Sequence, residues 1–344
     1  MIDTPARAAL RTMGLLREAN GREWLALRTS GTVAAPRTVV RSLASWEDSF
    51  DHVSRLTGTT SEDRVLVPAP PSGSMFAFAH AHAVQVGADV IHLPRWSLRG
   101  AEQALQSCTV AHLTPAMLTG LLDRNLGRLR TVVCAGATLP DVVRRRGHEA
   151  DIEVIDYYGA AELSFVAMRV GARLDPFPEV ELDVRNGIIW ARSPWLAQGY
   201  GPGESGPMQR DEAAWATVGD RGVLDKDVGL VVRGRGDDTV TTGGATVLCA
   251  DVEAAVLTHP LVTSAVAVGM PHAELGELLE VVVTGLAGLD IDKLRSHAVG
   301  LVARTHLPRR WHVWPDLPLT PAGKVDRTEV RHRLAADRTL EATL

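Results

Sequence analysis

Hydrophobic positions along the chain repeat with two alternating periods. Pro5 follows Thr4 as a helix start; Ala9, Leu10, Met13 and Leu16 share one helical face, and Asn20-Gly21 closes the run. Residues 24–27 read as a short strand that enters a small-residue loop over 29–37, and a helix is predicted over 42–57. Buried strands are then predicted at 64–68, 90–93, 110–114, 131–135 and 153–156. Helices are predicted between them at 75–86, 115–126 and 140–147. Alternating strand and helix specify an α/β fold with a mostly parallel sheet. From about Val180 the texture becomes short strands and turns (181–184, 188–191, 229–232), as in a small β subdomain. A polar, glycine-bearing turn at 234–238 separates this region from a compact αβ block. That block has predicted helices at 250–258 and 291–306 and strands at 262–268 and 280–284. The expected organisation is a large N-terminal α/β domain over 1–234, shortened at its start. A hinge at 235–238 and a smaller, mobile C-terminal α+β domain over 239–344 follow.

Composition narrows the function. The 344 residues carry 36 basic and 41 acidic side chains, a formal net charge of −5, which argues against a broad nucleic-acid surface. The three cysteines, Cys108, Cys134 and Cys249, have no close spacing, so a disulfide framework and a thiolate zinc site are not expected. Apolar stretches are interrupted well before about 18 residues, so membrane insertion is not expected either. A reducing cytoplasm is the expected compartment.

Four segments carry candidate chemistry. The loop from Thr29 through Ser30, Gly31 and Thr32 to Arg37 offers hydroxyls and bare backbone of the kind that surrounds phosphate oxygens. An ordinary strand-to-helix turn explains it as well. Tyr157-Tyr158-Gly159-Ala160-Ala161-Glu162 follows a strand end, where α/β sheets place ligands. An aromatic there can stack on a base and a carboxylate can hold Mg²⁺, although a buried tyrosine pair is the alternative. Asp220 after Gly219 can accept both hydroxyls of a ribose, with Arg235 at hand for the sugar or a phosphate; a turn aspartate and a solvated arginine are the plain reading. Lys324, in a loop rich in proline and glycine, would by itself be a solvated lysine.

In order and spacing, these segments resemble the signature motifs of the adenylate-forming superfamily: acyl-CoA synthetases, peptide-synthetase adenylation domains and firefly-type luciferases. The loop at 29–37 is similar to T-S-G-T-T-G-x-P-K, 158–162 to Y-G-x-T-E, 217–220 to T-G-D and 234–238 to G-R-x-D-D. Residues 240–253 are similar to I-K-x-G-G-x-x-I-x-P-x-E-I-E, and 318–327 to P-x-T-x-x-G-K-x-x-R. The resemblance implies an ATP-dependent acid–thiol ligase. Tyr158 would stack on adenine with Gly136 and Ala137 opposite, beside Gly159. Asp220 would bind the ribose, supported by Arg235. Thr29, Ser30, Gly31 and Thr32 would wrap the phosphates. Glu162 would hold Mg²⁺, and Lys324 would bridge the substrate carboxylate and the α-phosphate. Asp237 would absorb the hinge rotation that exchanges adenylation for thiol transfer. The implied reactants are a small carboxylic acid, ATP and CoA, or the phosphopantetheine of a carrier protein.

The chain departs from the family at Val33, Ala34, Arg37, Ala161, Val218 and Thr241. Family members carry a long segment ahead of the phosphate loop, which here begins at Thr29. A sheet edge left open by a shorter start would need covering, and pairing of two copies is one remedy. Ser74, Phe76 and Phe165 belong to apolar runs expected to line the acyl pocket, with core packing as the other reading. No basic residue is evident there for a second carboxylate, which favours an aliphatic or aryl monoacid. The string YGAAELSFV is also similar to one in bacterial fatty-acyl-CoA synthetases. The alternatives are an o-succinylbenzoate–CoA ligase and a weakly active or inactive adenylate-binding relative.

Overall fold

The computed structural model describes residues 3–19, 21–28, 37–71, 73–235 and 239–341. Its centre is a run of parallel strands. Asp89–His92, Arg64–Val67, Val110–Leu113, Thr131–Cys134 and Glu153–Ala160 lie side by side in that order. The three inner strands, Arg64–Val67, Val110–Leu113 and Thr131–Cys134, are short apolar runs buried almost throughout, as expected where helices cover a parallel sheet, whereas Asp89–His92 at the edge is partly exposed. On one face the helices Leu98–Leu105, Pro115–Leu121 and Asp141–Glu149 pack against a core that includes Leu66, Leu105, Leu113, Met117, Leu118 and Val143. The helix Ser74–Gln85 is apolar around its circumference, so it packs in both directions: Phe76, Ala79 and Ala83 join that core, while Ala77, Phe78 and Ala81 join a second one.

The predicted β subdomain is not a separate sheet. Glu153–Ala160 pairs antiparallel with Ser164–Val170, and the hydrogen-bonded path continues through Arg173–Pro176, Gly229–Arg235, Asp220–Asp225 and Ile188–Arg192 into one 13-stranded sheet. The reversal at the end of Glu153–Ala160 needs Gly159, whose Cβ would overlap the Ser164 carbonyl. A separate 4-stranded antiparallel sheet contains Arg22–Arg28, Thr38–Arg41 and Gly199–Tyr200.

The predicted helix at 42–57 is two helices, Ala44–Glu47 and Phe50–Thr57. The predicted helix at 291–306 ends at Ala298, with Gly300 at φ +96 and a 3₁₀ turn at Arg304–His306 beyond. The long helix is instead Arg327–Glu341, which sequence reading missed. Its signals are Asp326, whose carboxylate accepts the Glu329 N–H at 3.0 Å, and the apolar pair Val330 and Leu334.

Residues 239–341 contain a 5-stranded sheet with its own cores. One face of Val262–His272 and Gly276–Gly285 packs on the helices Cys249–Leu257 and Ile291–Ala298, the other on Arg327–Glu341. Among the described residues, no helix is long and apolar enough to cross a membrane.

Candidate active site

Parallel strands in α/β sheets open a crevice at their carboxyl ends. Here the residues at those ends are Thr114, the Ala135-Gly136-Ala137 turn, and Tyr158 near the end of the next strand. Gly136 has φ +93 and Gly136 and Ala137 are exposed.

The Lys324 loop sits against this edge. It is a tight turn closed by a bridge between Leu319 and Val325. The Thr320 N–H donates to the Lys324 carbonyl and the Gly323 N–H to the Thr320 carbonyl, both at 2.8 Å. Gly323 has φ +72, and a side chain there would run into the Met117 methyl. The bare Cα therefore lets the turn settle on the helix Pro115–Leu121. Thr114 completes the seat: its Oγ1 donates to the Gly323 carbonyl at 2.6 Å. The lysine then passes over Gly136, where a Cβ would lie 3.3 Å from Lys324 Cε. Arg327 anchors the base of the turn. It donates to the Ala267 carbonyl at 2.7 Å and pairs with Glu253 at 2.7 Å, while Glu253 also accepts the Ala267 N–H at 2.8 Å.

Asp220 opens the strand Asp220–Asp225 after Gly219, which has φ +80, and is 9% exposed. The Tyr158 hydroxyl donates to its Oδ2 at 2.9 Å, so the structure ties these two site residues together directly. The backbone of Arg235 pairs opposite Asp220 across the sheet.

Glu162 is buried in the turn between two antiparallel strands. Its Oε1 accepts the Tyr200 hydroxyl at 2.9 Å, and Tyr200 in turn accepts the Met208 N–H at 3.0 Å. Beneath the turn lies Arg41, 1% exposed, which donates to the Ala161 and Trp195 carbonyls and to Ser45 Oγ. Burial pulls the Arg41 guanidinium down to about 9, against the opposing charge of Glu162.

Of the expected acyl-pocket residues, Phe76 and Phe165 belong to different hydrophobic clusters. Phe76 is packed in the core beneath the parallel strands. Phe165 lies in the second core among Phe78, Tyr157 and Phe177, with ring centroids 4.6 to 4.9 Å away. Ser74 is half-buried at the start of its helix. Thr29, Ser30, Gly31, Thr32, Asp237 and the side chain of Arg235 lie outside the described residues. Sequence reading missed Thr114, Arg41 and Tyr200. Thr114-Pro115 carried a local signal as a helix cap, but nothing local marks its contact with Gly323.

Comparison with known proteins agrees with this architecture. Residues 27–201 match the AMP-binding enzyme family and 251–324 its C-terminal domain. An uncharacterized acyl–CoA ligase of Bacillus subtilis is 28% identical over 88% of this chain and 67% of its own length. A probable 2-succinylbenzoate–CoA ligase of Mycobacterium tuberculosis is 31% identical over 91% of this chain and 85% of its own. Among solved structures, an anthranilate CoA ligase in complex with anthranoyl-AMP superposes with a TM-score of 0.74 at 22% identity, covering 93% of this chain and 70% of that one. The chain belongs to the AMP-binding enzymes, the adenylate-forming superfamily.

Proposed function

We propose that this chain is an AMP-forming acid–thiol ligase. It joins a carboxylate to ATP, releasing pyrophosphate and leaving an acyl-adenylate, then passes the acyl group to the thiol of CoA with departure of AMP. The observation that carries this reading is the Lys324 turn seated over Gly136 at the carboxyl ends of the parallel strands.

Adenylation brings one anion to another, so the site must neutralise charge at the α-phosphorus and on the leaving pyrophosphate. The Lys324 ammonium supplies a cation at the acid and α-phosphate. Asp220 holds the ribose hydroxyls, oriented by Tyr158 through their shared hydrogen bond. Gly136 and Ala137 would face the purine opposite Tyr158, and Thr29, Ser30, Gly31 and Thr32 would bind the phosphates. The fit of Mg²⁺ rests on Glu162. One of its oxygens accepts from Tyr200, and the other has no hydrogen bond among the described residues. Among those residues no group of three or more His, Cys, Asp or Glu could hold a metal. A single hard-oxygen ligand suits an ion that keeps its waters and binds mainly through phosphates. When bound, Mg²⁺ would neutralise phosphate charge. Arg41 fixes the turn that presents Glu162.

The second step requires the smaller domain to turn about a hinge at 235–238, with Asp237 absorbing the change, so that Lys324 leaves and the thiol enters. A reducing cytoplasm, consistent with three free buried cysteines, is the compartment this reading assigns. An aliphatic or aryl monoacid is the favoured substrate. The relative at 31% identity is named for 2-succinylbenzoate, so that diacid stands as the second reading. The test is acid-dependent exchange of labelled pyrophosphate into ATP across monoacids and 2-succinylbenzoate, followed by AMP release with and without CoA. Exchange with CoA-dependent AMP release is expected. Exchange without a CoA response redirects the acceptor to carrier-protein phosphopantetheine. A chain that binds ATP yet is inert across the panel is an adenylate-binding relative, and the ligase reading fails.

A further inference from the structure

We propose that Thr114 is a positioning residue: its hydroxyl latches the Lys324 turn to the large sheet for adenylation and must release it for thiol transfer. The inference rests on the ligase reading above.

Thr114 is 1% exposed, at the point where a parallel strand gives way to the helix Pro115–Leu121. Its hydroxyl has two occupations. As an acceptor it takes the Met117 N–H at 3.3 Å and caps that helix; as a donor it holds the Gly323 carbonyl at 2.6 Å, 209 residues away. The carbonyl it holds belongs to the residue immediately before Lys324, so the bond fixes the peptide plane from which the lysine departs. Because the helix cap orients the hydroxyl whether or not the turn is seated, the latch is ready before docking. The Met117 side chain beneath Gly323 adds close packing at the same spot.

The strength of the latch suits its task. One neutral hydrogen bond shifts a docked-to-undocked ratio by about 2- to 10-fold. That is enough to bias the lysine into the cleft and small enough to release within a turnover. An ion pair in the same place would hold the first state against the second.

The test compares Thr114→Val, which keeps shape and removes the hydroxyl, with Thr114→Ser, which keeps both occupations. Hydrogen exchange of the peptide spanning 319–325 reads docking directly, without any assumption about activity. Valine should speed that exchange by about 2- to 10-fold and serine should leave it near wild type. In the pyrophosphate-exchange assay, valine should lower the maximal rate by a similar factor with the KM for ATP unchanged. Thiol transfer from a supplied acyl-adenylate should be unchanged or faster. Serine should restore the exchange rate. Equal protection of 319–325 in wild type and valine variant overturns the latch. So does a fall in both half-reactions that tracks a lower Tm, because that is the signature of a lost helix cap alone. A wild-type protein inert in pyrophosphate exchange overturns the ligase reading instead, and the hydrogen-exchange comparison still decides the latch.

Discussion

Asp220 is 9% exposed, and the Tyr158 hydroxyl donates to it at 2.9 Å. The same hydroxyl therefore supports both residues assigned to the nucleoside. Tyr158→Phe keeps the ring but removes that donor, and hydrogen bonds to charged groups contribute more than neutral ones. If Asp220 holds the ribose as proposed, the KM for ATP should rise about tenfold with little change in the maximal rate; an unchanged KM would count against that role. Two histidines make a second prediction at this scale. His82 lies 2.8 Å from Ser54 Oγ, and burial lowers it from 6.5 to about 4. Burial lowers His112 to about 3, with the nearby His82 adding to the effect. The unfolded chain thus binds protons below pH 6.5 that the folded chain refuses until about 4 or 3. Stability is full above pH 6.5 and falls with pH, by about 1.4 kcal/mol per pH unit for each histidine. Urea midpoints between pH 7 and 5 should drop less steeply for His112→Gln than for wild type; parallel slopes would contradict this account.

At the scale of elements, the sequence was readable where one pattern ruled a whole segment. The small-residue helix predicted at 75–86 is found at Ser74–Gln85, and the parallel strands fall within a few residues of their predicted places. It failed where a tertiary partner took over. The strand expected to stop at 156 runs on to Ala160 because Gly159 and Ser164 let the chain fold straight back. Motif spacing singled out Lys324, Tyr158 and Asp220, and the structure ties Tyr158 to Asp220 and brings Lys324 to Gly136. Thr114 and Arg41 could not be singled out this way, because their contacts lie 209 and 120 residues away and leave no local pattern. The Lys324 turn shows both cases at once: its lysine is a motif residue, while its seat depends on Met117 and on a glycine at φ +72. Gly323→Ala places a methyl against Met117 in a conformation that L residues adopt at a cost. Adenylation should fall at least about tenfold while Tm moves by only a few degrees, since a short turn can lift off Met117 and leave that residue in its core. Pyrophosphate exchange and calorimetry check this together, and a large drop in Tm with proportionate loss of rate would show the turn to be structural.

Over the whole molecule, the two groups of residues proposed for the chemistry sit on separate hydrophobic cores. The large sheet carries Tyr158, Asp220 and Glu162, whereas Lys324 belongs to the five-stranded unit whose cores include Val281, Leu294, Val330 and Leu334. The backbone link between them leaves the large sheet at Arg235, directly across from Asp220. A rotation beginning there would move the lysine through a wide arc and leave Asp220 fixed by its own strand pairing. The lysine should consequently matter in only one of the two steps. Lys324→Ala should slow adenylation by about 10²–10³-fold, the usual consequence of removing one charge-stabilising group from such a site. It should leave ATP affinity within about twofold, because charge stabilisation specific to the transition state does not contribute to ground-state binding. Thiol transfer from a supplied acyl-adenylate should continue near the wild-type rate. Rapid-quench measurement of each half-reaction decides the matter: equal losses in both would mean that Lys324 stays in the cleft throughout, and that the smaller unit does not turn between the steps.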